Sequence, residues 1–311
     1  MMENSLVKKL LSYKVSTLSR LAILCGVAVP SVPKATRIQW IIDNYRFYLN
    51  NYHYHLPRSV LGIDIGVKNF SYCKSTTPPD RSFPLSITEW SKVNLDETFG
   101  KNYEPLLNRD SLIDAKRYFQ FITRALLERL EPHKSDLVVM EAQRTRSIGN
   151  TSTLPSVMQC YTLENLIVGN TYPGIVIPMT AFQMMNYWVH RFFGKSAVTN
   201  VTKNQKAIRF DLLSAWKGVL FELPGYECAG LEKKQVLAYL KLEKGEKVDD
   251  LMDSLLYNIT INSQFQNLRE FHELMSTDLA GCDLEWFVDD KDAYHLELLE
   301  PVMDKYKLKL K

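Results

Sequence analysis

Hydrophobic residues follow two different periods along this chain, and the two periods predict different elements. Short apolar or alternating runs predict strands at residues 60–65, 70–74, 87–95, 136–140 and 175–179. Apolar residues spaced three and four positions apart predict helices at residues 110–130, 154–168, 181–193, 203–216, 233–242 and 248–262. From residue 278 to residue 311 the pattern is polar and irregular, and it predicts no element.

The order of these elements predicts the fold class. Three consecutive strands are followed by a helix, a strand, a helix, a strand and terminal helices. This order is typical of an α/β domain in which helices cover both faces of a mixed sheet. We assign that domain to residues 58–311.

Residues 1–50 form a second predicted unit, made of short helices. Apolar spacing indicates helices at 5–13, 16–25 and 35–45, and Ser16 or Thr17 is expected to cap the second one. Residues 50–57 are a predicted linker. The unit resembles a SAP-type DNA-binding motif, with Lys34 and Arg37 opening its second main helix. Any small helical hairpin has the same spacing, so both interpretations stay open.

The distribution of charge is more informative than the net charge of +3. Residues 1–50 hold seven Lys and Arg against two acids, and residues 195–247 hold ten against six. Two basic regions of this kind favour contact with phosphates. Glu3 is the only acid before Asp43, which fits an organellar targeting peptide and equally an ordinary basic helix.

Composition argues against two further classes of protein. The chain has no run of about 18 uncharged apolar residues, so we expect no membrane span. Its five cysteines include no C-x-x-C pair and no neighbouring histidine cluster, so neither a zinc site nor a disulfide framework is expected.

Two candidate catalytic acids lie on predicted strands. Asp64 stands in the run LGIDIG at residues 61–66, where a charge is costly unless a cation compensates it. Glu141 directly follows the run LVVM at residues 137–140, and active-site groups of open sheets commonly lie at strand ends. Alternatively, Asp64 caps a turn and Glu141 is a solvated residue beyond its strand.

Two further candidate acids lie on a predicted helix. Asp250 and Asp253 are three positions apart, so a helix places both on one face. Asp249 points about 100° away from Asp250 and is either an N-terminal capping acid or a replacement within the site.

Four carboxylates in one place repel each other unless divalent cations neutralise them. Ligands that are all oxygen favour Mg²⁺, with Mn²⁺ as a substitute. Two such ions roughly 3.5–4 Å apart would also activate the attacking water and stabilise the leaving 3′ oxygen of a phosphodiester.

A strand Asp, a strand Glu and a helical D-x-x-D in this order resemble the ribonuclease-H-like superfamily. The segments LGIDIGVKN (61–69), VMEAQRTRS (139–147) and KVDDLMDSLL (247–256) resemble the mitochondrial Holliday-junction resolvases of fungi, which are related to bacterial RuvC. The resemblance spans residues 59–262, and the SAP-like start matches that family too. Met252 departs from the small residue that the family usually has between the last two acids.

The resemblance implies a homodimeric endonuclease that uses Mg²⁺ to cut two opposed strands of a four-way DNA junction, in mitochondrial DNA recombination. By position, its catalytic residues and metal ligands would be Asp64, Glu141, Asp250 and Asp253. The helix at 154–168 has more apolar surface than one buried face needs. It is a candidate dimer contact, although packing against its own sheet explains the same pattern.

Candidate DNA-binding residues either directly follow the second strand acid or share one face of a basic helix. They are Gln143, Arg144, Arg146, Lys203, Lys206 and Arg209, together with Lys34 and Arg37 of the SAP-like unit. A solvated helix face would carry the same charges.

Three other functions fit parts of the pattern. Residues 64–66 resemble the phosphate loop of actin-like and sugar kinases, but the chain has neither a Gly-Gly pair nor a second strand-Asp-Gly motif. A non-catalytic branched-DNA-binding protein would keep only the fold. Another ribonuclease-H-like nuclease would use the same motifs to cut RNA–DNA hybrids or flaps.

Overall fold

Contacts along the chain separate two units in the computed structural model, which describes residues 2–28, 31–78, 83–143, 155–243, 245–277 and 283–311. The helical unit combines Met1–Pro57, Phe182–Trp216 and Thr260–Lys311, and the sheet unit combines Arg58–Ala181 and Lys217–Ile259. The predicted division into residues 1–50 and 58–311 stays a prediction. Within the described ranges, no helix is both long enough and apolar enough to cross a membrane.

The sheet unit is built on a mixed sheet, which has six strands among the described residues, in the order β5-β4-β1-β2-β3-β6. β1 to β3 are antiparallel neighbours, whereas β4 and β5 run parallel to β1, and β6 runs parallel to β3. Five strands lie where apolar runs predicted them, and β6 is too short to produce a periodic signal. The strands are β1 Ser59–Asp64, β2 Phe70–Thr76, β3 Leu85–Val93, β4 Leu137–Glu141, β5 Val176–Met179 and β6 Phe221–Glu222.

The helices of the described residues cover most of the remaining chain. They are α1 Met2–Ser12, α2 Val15–Leu24, α3 Lys34–Tyr52, α4 Leu95–Thr98, α5 Leu112–Leu130, α6 Pro155–Thr171, α7 Ala181–Trp188, α8 Lys195–Lys203, α9 Gln205–Trp216, α10 Lys233–Tyr239, α11 Asp249–Thr277 and α12 Leu284–Tyr306.

Alternate residues of β1 face different layers of helices. Leu61 and Ile63 pack in one core with Leu126 of α5 and Leu163 of α6. Gly62 faces the opposite way, toward α11. Helices therefore cover both faces of the sheet, which confirms the predicted α/β fold class.

α11 approaches β1 most closely at Gly62. A Cβ atom there would overlap the backbone oxygen of Ser254 and would lie 3.1 Å from Cβ of Asn258. Asn258 is fully buried, and its Nδ2 donates hydrogen bonds to the carbonyl oxygens of Val60 and Cys73, each at 3.0 Å. The absence of a side chain at position 62 and the amide of Asn258 together set the distance between helix and sheet.

Two predicted helices of the helical unit have different bounds in the structure. The predicted helix 203–216 is confirmed as α9, which begins two residues later, at Gln205, after α8 has ended at Lys203. The predicted helix 181–193 ends at Trp188, and a 3₁₀ turn follows at His190–Phe192. Apolar residues continue through this turn, so the pattern alone did not reveal the end of the helix.

The N-terminal helices differ from the predictions in two details. α3 continues through Tyr52, which is buried, and therefore includes the start of the predicted linker. Neither Ser16 nor Thr17 caps α2, since this helix begins after Lys14 with no side-chain cap. The aromatic residues of α3 pack into the helical unit, and that burial extends the helix beyond its predicted end.

The polar end of the chain is helical, contrary to prediction. α11 continues far past residue 262, and α12 begins after Asp283, whose side chain accepts the N–H of Trp286 at 2.9 Å. Polar residues occupy buried positions of these helices, among them Asn267 and His295. The Nδ2 of Asn267 donates to the hydroxyl of Tyr187 at 2.8 Å. These partners satisfy polar groups that the periodic pattern assigned to solvent.

We predict that Gly62→Ala lowers the free energy of unfolding by about 2–3 kcal/mol, because the new methyl group displaces α11 from β1. Urea denaturation followed by circular dichroism measures this change. Gly169→Ala is the matched control, because a Cβ atom at this position of α6 meets no atom within 4 Å. The control should be neutral or stabilising by up to about 1 kcal/mol, and equal effects of the two changes would contradict the packing argument.

Candidate active site

Asp64 and Glu141 end two neighbouring parallel strands. β1 and β4 pair with Ile63 beside Met140, so the residues that follow lie side by side. Asp64 is only 7% exposed and Glu141 is half-buried, so the two strand ends hold a pair of carboxyl groups that are largely shielded from water.

Asp250 and Asp253 come from the first turns of α11. The backbone of this segment is held by β2 and β3, because Ser71 Oγ donates to the Asp250 oxygen at 2.5 Å and Trp90 Nε1 donates to the Leu251 oxygen at 2.9 Å. Asp250 Oδ2 and Asp253 Oδ1 are both shielded from solvent. The helix therefore presents two carboxylates beside the ends of β1 and β4.

The electrostatics of Asp64 connect all four candidate acids. Burial raises the pKa of Asp64 well above its ordinary value, and the charges of Glu141, Asp253 and Asp250 raise it further. The structure thus places Glu141, Asp250 and Asp253 within electrostatic reach of Asp64, although the four acids come from three separate segments of the sequence. The part played by Asp249, which lies in the same first turn of α11, stays a prediction.

Two further polar residues support Glu141. Gln143 Nε2 donates to Glu141 Oε2 at 2.6 Å, and its backbone N–H donates to Glu164 Oε2 at 3.0 Å. Burial raises the pKa of Glu164, and the charge of Glu141 raises it further. Sequence reasoning missed Glu164, although it is the only charged residue of α6, and a lone acid in an uncharged helix is a usable signal.

A cavity of about 580 Å³ opens beside the carboxylates, within the sheet unit. Asp64 and Asp250 form part of its wall, and the rest comes from the β1–β2 turn, the segment leading into α5, and the first turns of α5 and α6. We call it the α5 cavity. A substrate that reaches the carboxylates has room to extend into it.

The other predicted DNA contacts lie in several places. Arg144 and Arg146 lie outside the described residues. Gln143 lies in the sheet unit, where it hydrogen bonds to Glu141. The remaining five residues belong to the helical unit. Lys203 and Lys206 are exposed, and Arg209 is half-buried. Lys34 Nζ donates a hydrogen bond to the Leu11 oxygen at 2.5 Å, and Arg37 is buried.

The chemistry of the donor set fits divalent cations that prefer oxygen ligands, since all four candidate ligands are carboxylates. In the conformation described, no three His, Cys, Asp or Glu side chains of the described residues are grouped closely enough to hold one ion.

Comparison with known proteins identifies similar sequences. The family described as mitochondrial resolvase Ydc2 and RNA splicing MRS1 matches residues 60–271, more than half of the chain. The mitochondrial cruciform cutting endonuclease 1 of Schizosaccharomyces pombe is 32% identical over 120 residues, which cover 36% of this chain and 41% of that protein. Its Saccharomyces cerevisiae counterpart is 26% identical over 112 residues, which cover 36% of this chain and 30% of that protein. The matches thus span less than half the length of these relatives.

The crystal structure of the yeast mitochondrial Holliday junction resolvase Ydc2 is similar in fold. It aligns with a TM-score of 0.52 and 22% identity, and the alignment covers 85% of this chain and 98% of that one. This similarity confirms the predicted ribonuclease-H-like fold.

We predict that Asp64→Asn stabilises the metal-free protein increasingly as pH rises. At pH below the ordinary pKa of 3.8 the aspartate is protonated in both the folded and the unfolded state. Above pH 3.8 the aspartate of the unfolded state ionises first, because its pKa is the ordinary one. The wild type therefore loses stability with rising pH until the pH passes the raised pKa of Asp64 in the folded state. The difference in the free energy of unfolding between the variant and the wild type should therefore grow with pH across the interval between the two pKa values.

Urea unfolding in EDTA between about pH 4 and pH 8 measures this difference. Glu104→Gln, at an exposed acid of the same unit, is the control and should show a flat difference. A flat difference for Asp64→Asn as well would mean that Asp64 is not held among the other acids.

Proposed function

This chain belongs to the family of mitochondrial resolvase Ydc2 and RNA splicing MRS1, and from that premise we propose that it is an endonuclease that cuts opposed strands of four-way DNA junctions in mitochondria. The observation that carries the proposal is the cluster of Asp64, Glu141, Asp250 and Asp253 at the ends of β1 and β4. The relatives named cruciform cutting endonuclease support the choice of substrate.

In this proposal the four acids would hold Mg²⁺, or Mn²⁺ in its place, and the bound cations would supply Lewis acidity at the scissile phosphate. Gln143 Nε2 fixes one oxygen of Glu141 and so orients the carboxylate. The burial of Asp64 keeps water away from one side of the site and strengthens each charge interaction there.

Basic residues supply the expected contacts with the DNA backbone. Lys203 and Lys206 are exposed, and we propose that they contact phosphates. We include Arg144 and Arg146 among the proposed contacts because they follow Glu141 in the sequence. We retain the SAP-like interpretation of residues 1–50 as part of the proposal. The burial of Arg37 and the hydrogen bond of Lys34 argue for a structural role of these two residues.

α6 supports the proposed homodimer. Met158, Tyr161 and Val168 follow one another at intervals of three and seven positions along one stripe, and they are 47%, 38% and 43% exposed. Tyr172, which is 84% exposed, directly follows the last residue of the helix. The opposite stripe, with Leu163, packs against the sheet. A second copy of this chain would bury the exposed stripe in the way that paired helices do, and would supply the second active site that opposed strands require.

The family description includes RNA splicing, and this favours one alternative in which the chain binds nucleic acid without cutting it. A third possibility, a nuclease for RNA–DNA hybrids or flaps, uses the same acids on a different substrate. The three functions differ in which substrate is bound and whether it is cut.

We predict that the wild type makes paired symmetric nicks in an end-labelled four-way junction with Mg²⁺ and none with EDTA. Asp64→Asn should lower the cleavage rate by at least about a hundredfold, because one metal ligand is lost, while junction binding changes little. Glu222→Gln, at an exposed acid of β6 outside both the acidic cluster and the cavity, is the matched control.

Linear duplex, RNA–DNA hybrid and flap substrates complete the experiment. If the protein cuts the hybrid or the flap in preference to the junction, the four-way junction is not its substrate and the third possibility is favoured. Binding to a junction or to structured RNA without any cutting would favour the non-catalytic alternative.

We predict that Val168→Asp converts a dimer into a monomer, because it places a charge in the exposed stripe of α6. Sedimentation velocity measures the change in mass. Val219→Asp is the control, since Val219 is 50% exposed and lies outside α6. If both variants sediment like the wild type, the dimer contact lies elsewhere.

A further inference from the structure

The α5 cavity has a wall that is suited to one nucleotide. Lys68 and Arg109 contribute cationic groups, Tyr118 contributes an aromatic ring, and Gln159 contributes a side-chain amide. Phosphates are recognised by cations, bases stack on aromatic rings, and amides form hydrogen bonds with base edges. No single part of this wall identifies a ligand, but the three kinds of group together match the phosphate, the base face and the base edge of one nucleotide.

Tyr118 is held rigidly in that wall. Its hydroxyl donates to Asp96 Oδ1 at 2.6 Å, and its ring meets the ring of Tyr103 edge to face, with centroids 5.3 Å apart. A Cβ atom at Gly100 would overlap the Tyr118 hydroxyl, so the chain passes directly behind the ring. An aromatic ring fixed in this way needs no further ordering when it stacks on a base.

The loop at residues 103–111, which we call the Asp114 loop, is equally rigid. The buried carboxylate of Asp114 accepts hydrogen bonds from the backbone N–H groups of Leu106 at 2.8 Å and Leu107 at 2.9 Å, and from the hydroxyls of Tyr103 at 2.6 Å and Ser111 at 2.8 Å. Even so, Leu106 and Leu107 are 64% and 67% exposed. A braced loop that holds two leucines in solvent is suited to an apolar partner.

The position of Arg109 connects the loop to the cavity, because this residue belongs to the Asp114 loop and also lines the wall. Asp64 and Asp250 line the same cavity, so its occupant lies next to the phosphate that would be cut. Apolar side chains can replace a base in a stack when a nucleotide leaves it. The loop that holds Leu106 and Leu107 in solvent therefore also supplies one residue of the cavity wall, Arg109.

We propose that the α5 cavity holds one nucleotide of the cleaved strand in an unpaired state, while Leu106 and Leu107 cover the stack that its base has left. This inference rests on the proposed function and names a subsite within it. Arg109 and Lys68 contact the phosphates of this nucleotide, Tyr118 stacks on its base, and Gln159 reads the base edge. The enzyme therefore prefers particular bases at this one position.

A scan of single mismatches tests the inference. Each four-way junction of the set carries a single mismatch at a different position around the cut. The mismatch is made by changing only the strand that pairs with the labelled one. Single-turnover cleavage of each junction by the full chain is measured with Mg²⁺. We expect Arg109→Ala to cut the fully paired junction about tenfold more slowly. A mismatch at one position beside the cut should restore most of that rate, because the base no longer has to be unpaired. Leu107→Ser should behave in the same way.

Arg124→Ala and Val219→Ser are the matched controls, at residues that are 85% and 50% exposed in the same unit and outside the cavity wall. Both should cut the paired junction at the wild-type rate. If Arg109→Ala is slow and no mismatch restores it, or if it cuts as fast as the wild type, the inference is overturned while the proposed function stands. Failure of the wild type to cut any junction would instead overturn the proposed function.

Discussion

The packing of α11 against β1 at Gly62 is the contact on which the candidate site depends. Any side chain at this position would meet the backbone of Ser254, and backbone cannot move aside as a side-chain tip can. Asp250 and Asp253 precede Ser254 on the same helix, so a shift of α11 would carry them away from Asp64. The same contact therefore holds the core of the sheet unit together and positions its acids.

The cluster of acids is unfavourable for folding. Asp64 is buried next to three other acids, and both the burial and their charges raise its pKa. In the proposed function, bound cations would neutralise this repulsion. Cation binding and the stability of the sheet unit are then linked, because a ligand that binds only the folded state stabilises it.

Buried polar residues explain where prediction from periodicity failed. The buried faces of α11 and α12 include Asn267 and His295, whose partners lie in other segments of the chain. A pattern that scores polar residues as exposed ends α11 at residue 262 and omits α12. Asn258 and Asp114 are also buried polar residues with distant partners. Asn258 donates hydrogen bonds to two strands, and Asp114 accepts one from the backbone of Leu106, so each connects segments that a hydrophobic pattern treats as separate.

The sequence by itself determined the five longer strands, the α/β class and the three acidic motifs, because alternation, helical spacing and a charge inside an apolar run are local properties. Only the tertiary structure decided that Glu164 and Gln143 support Glu141, that Arg37 is buried, and that a cavity opens beside Asp64. These features depend on distances between residues far apart in the chain. Such distances are set by packing of whole elements, which no local pattern encodes.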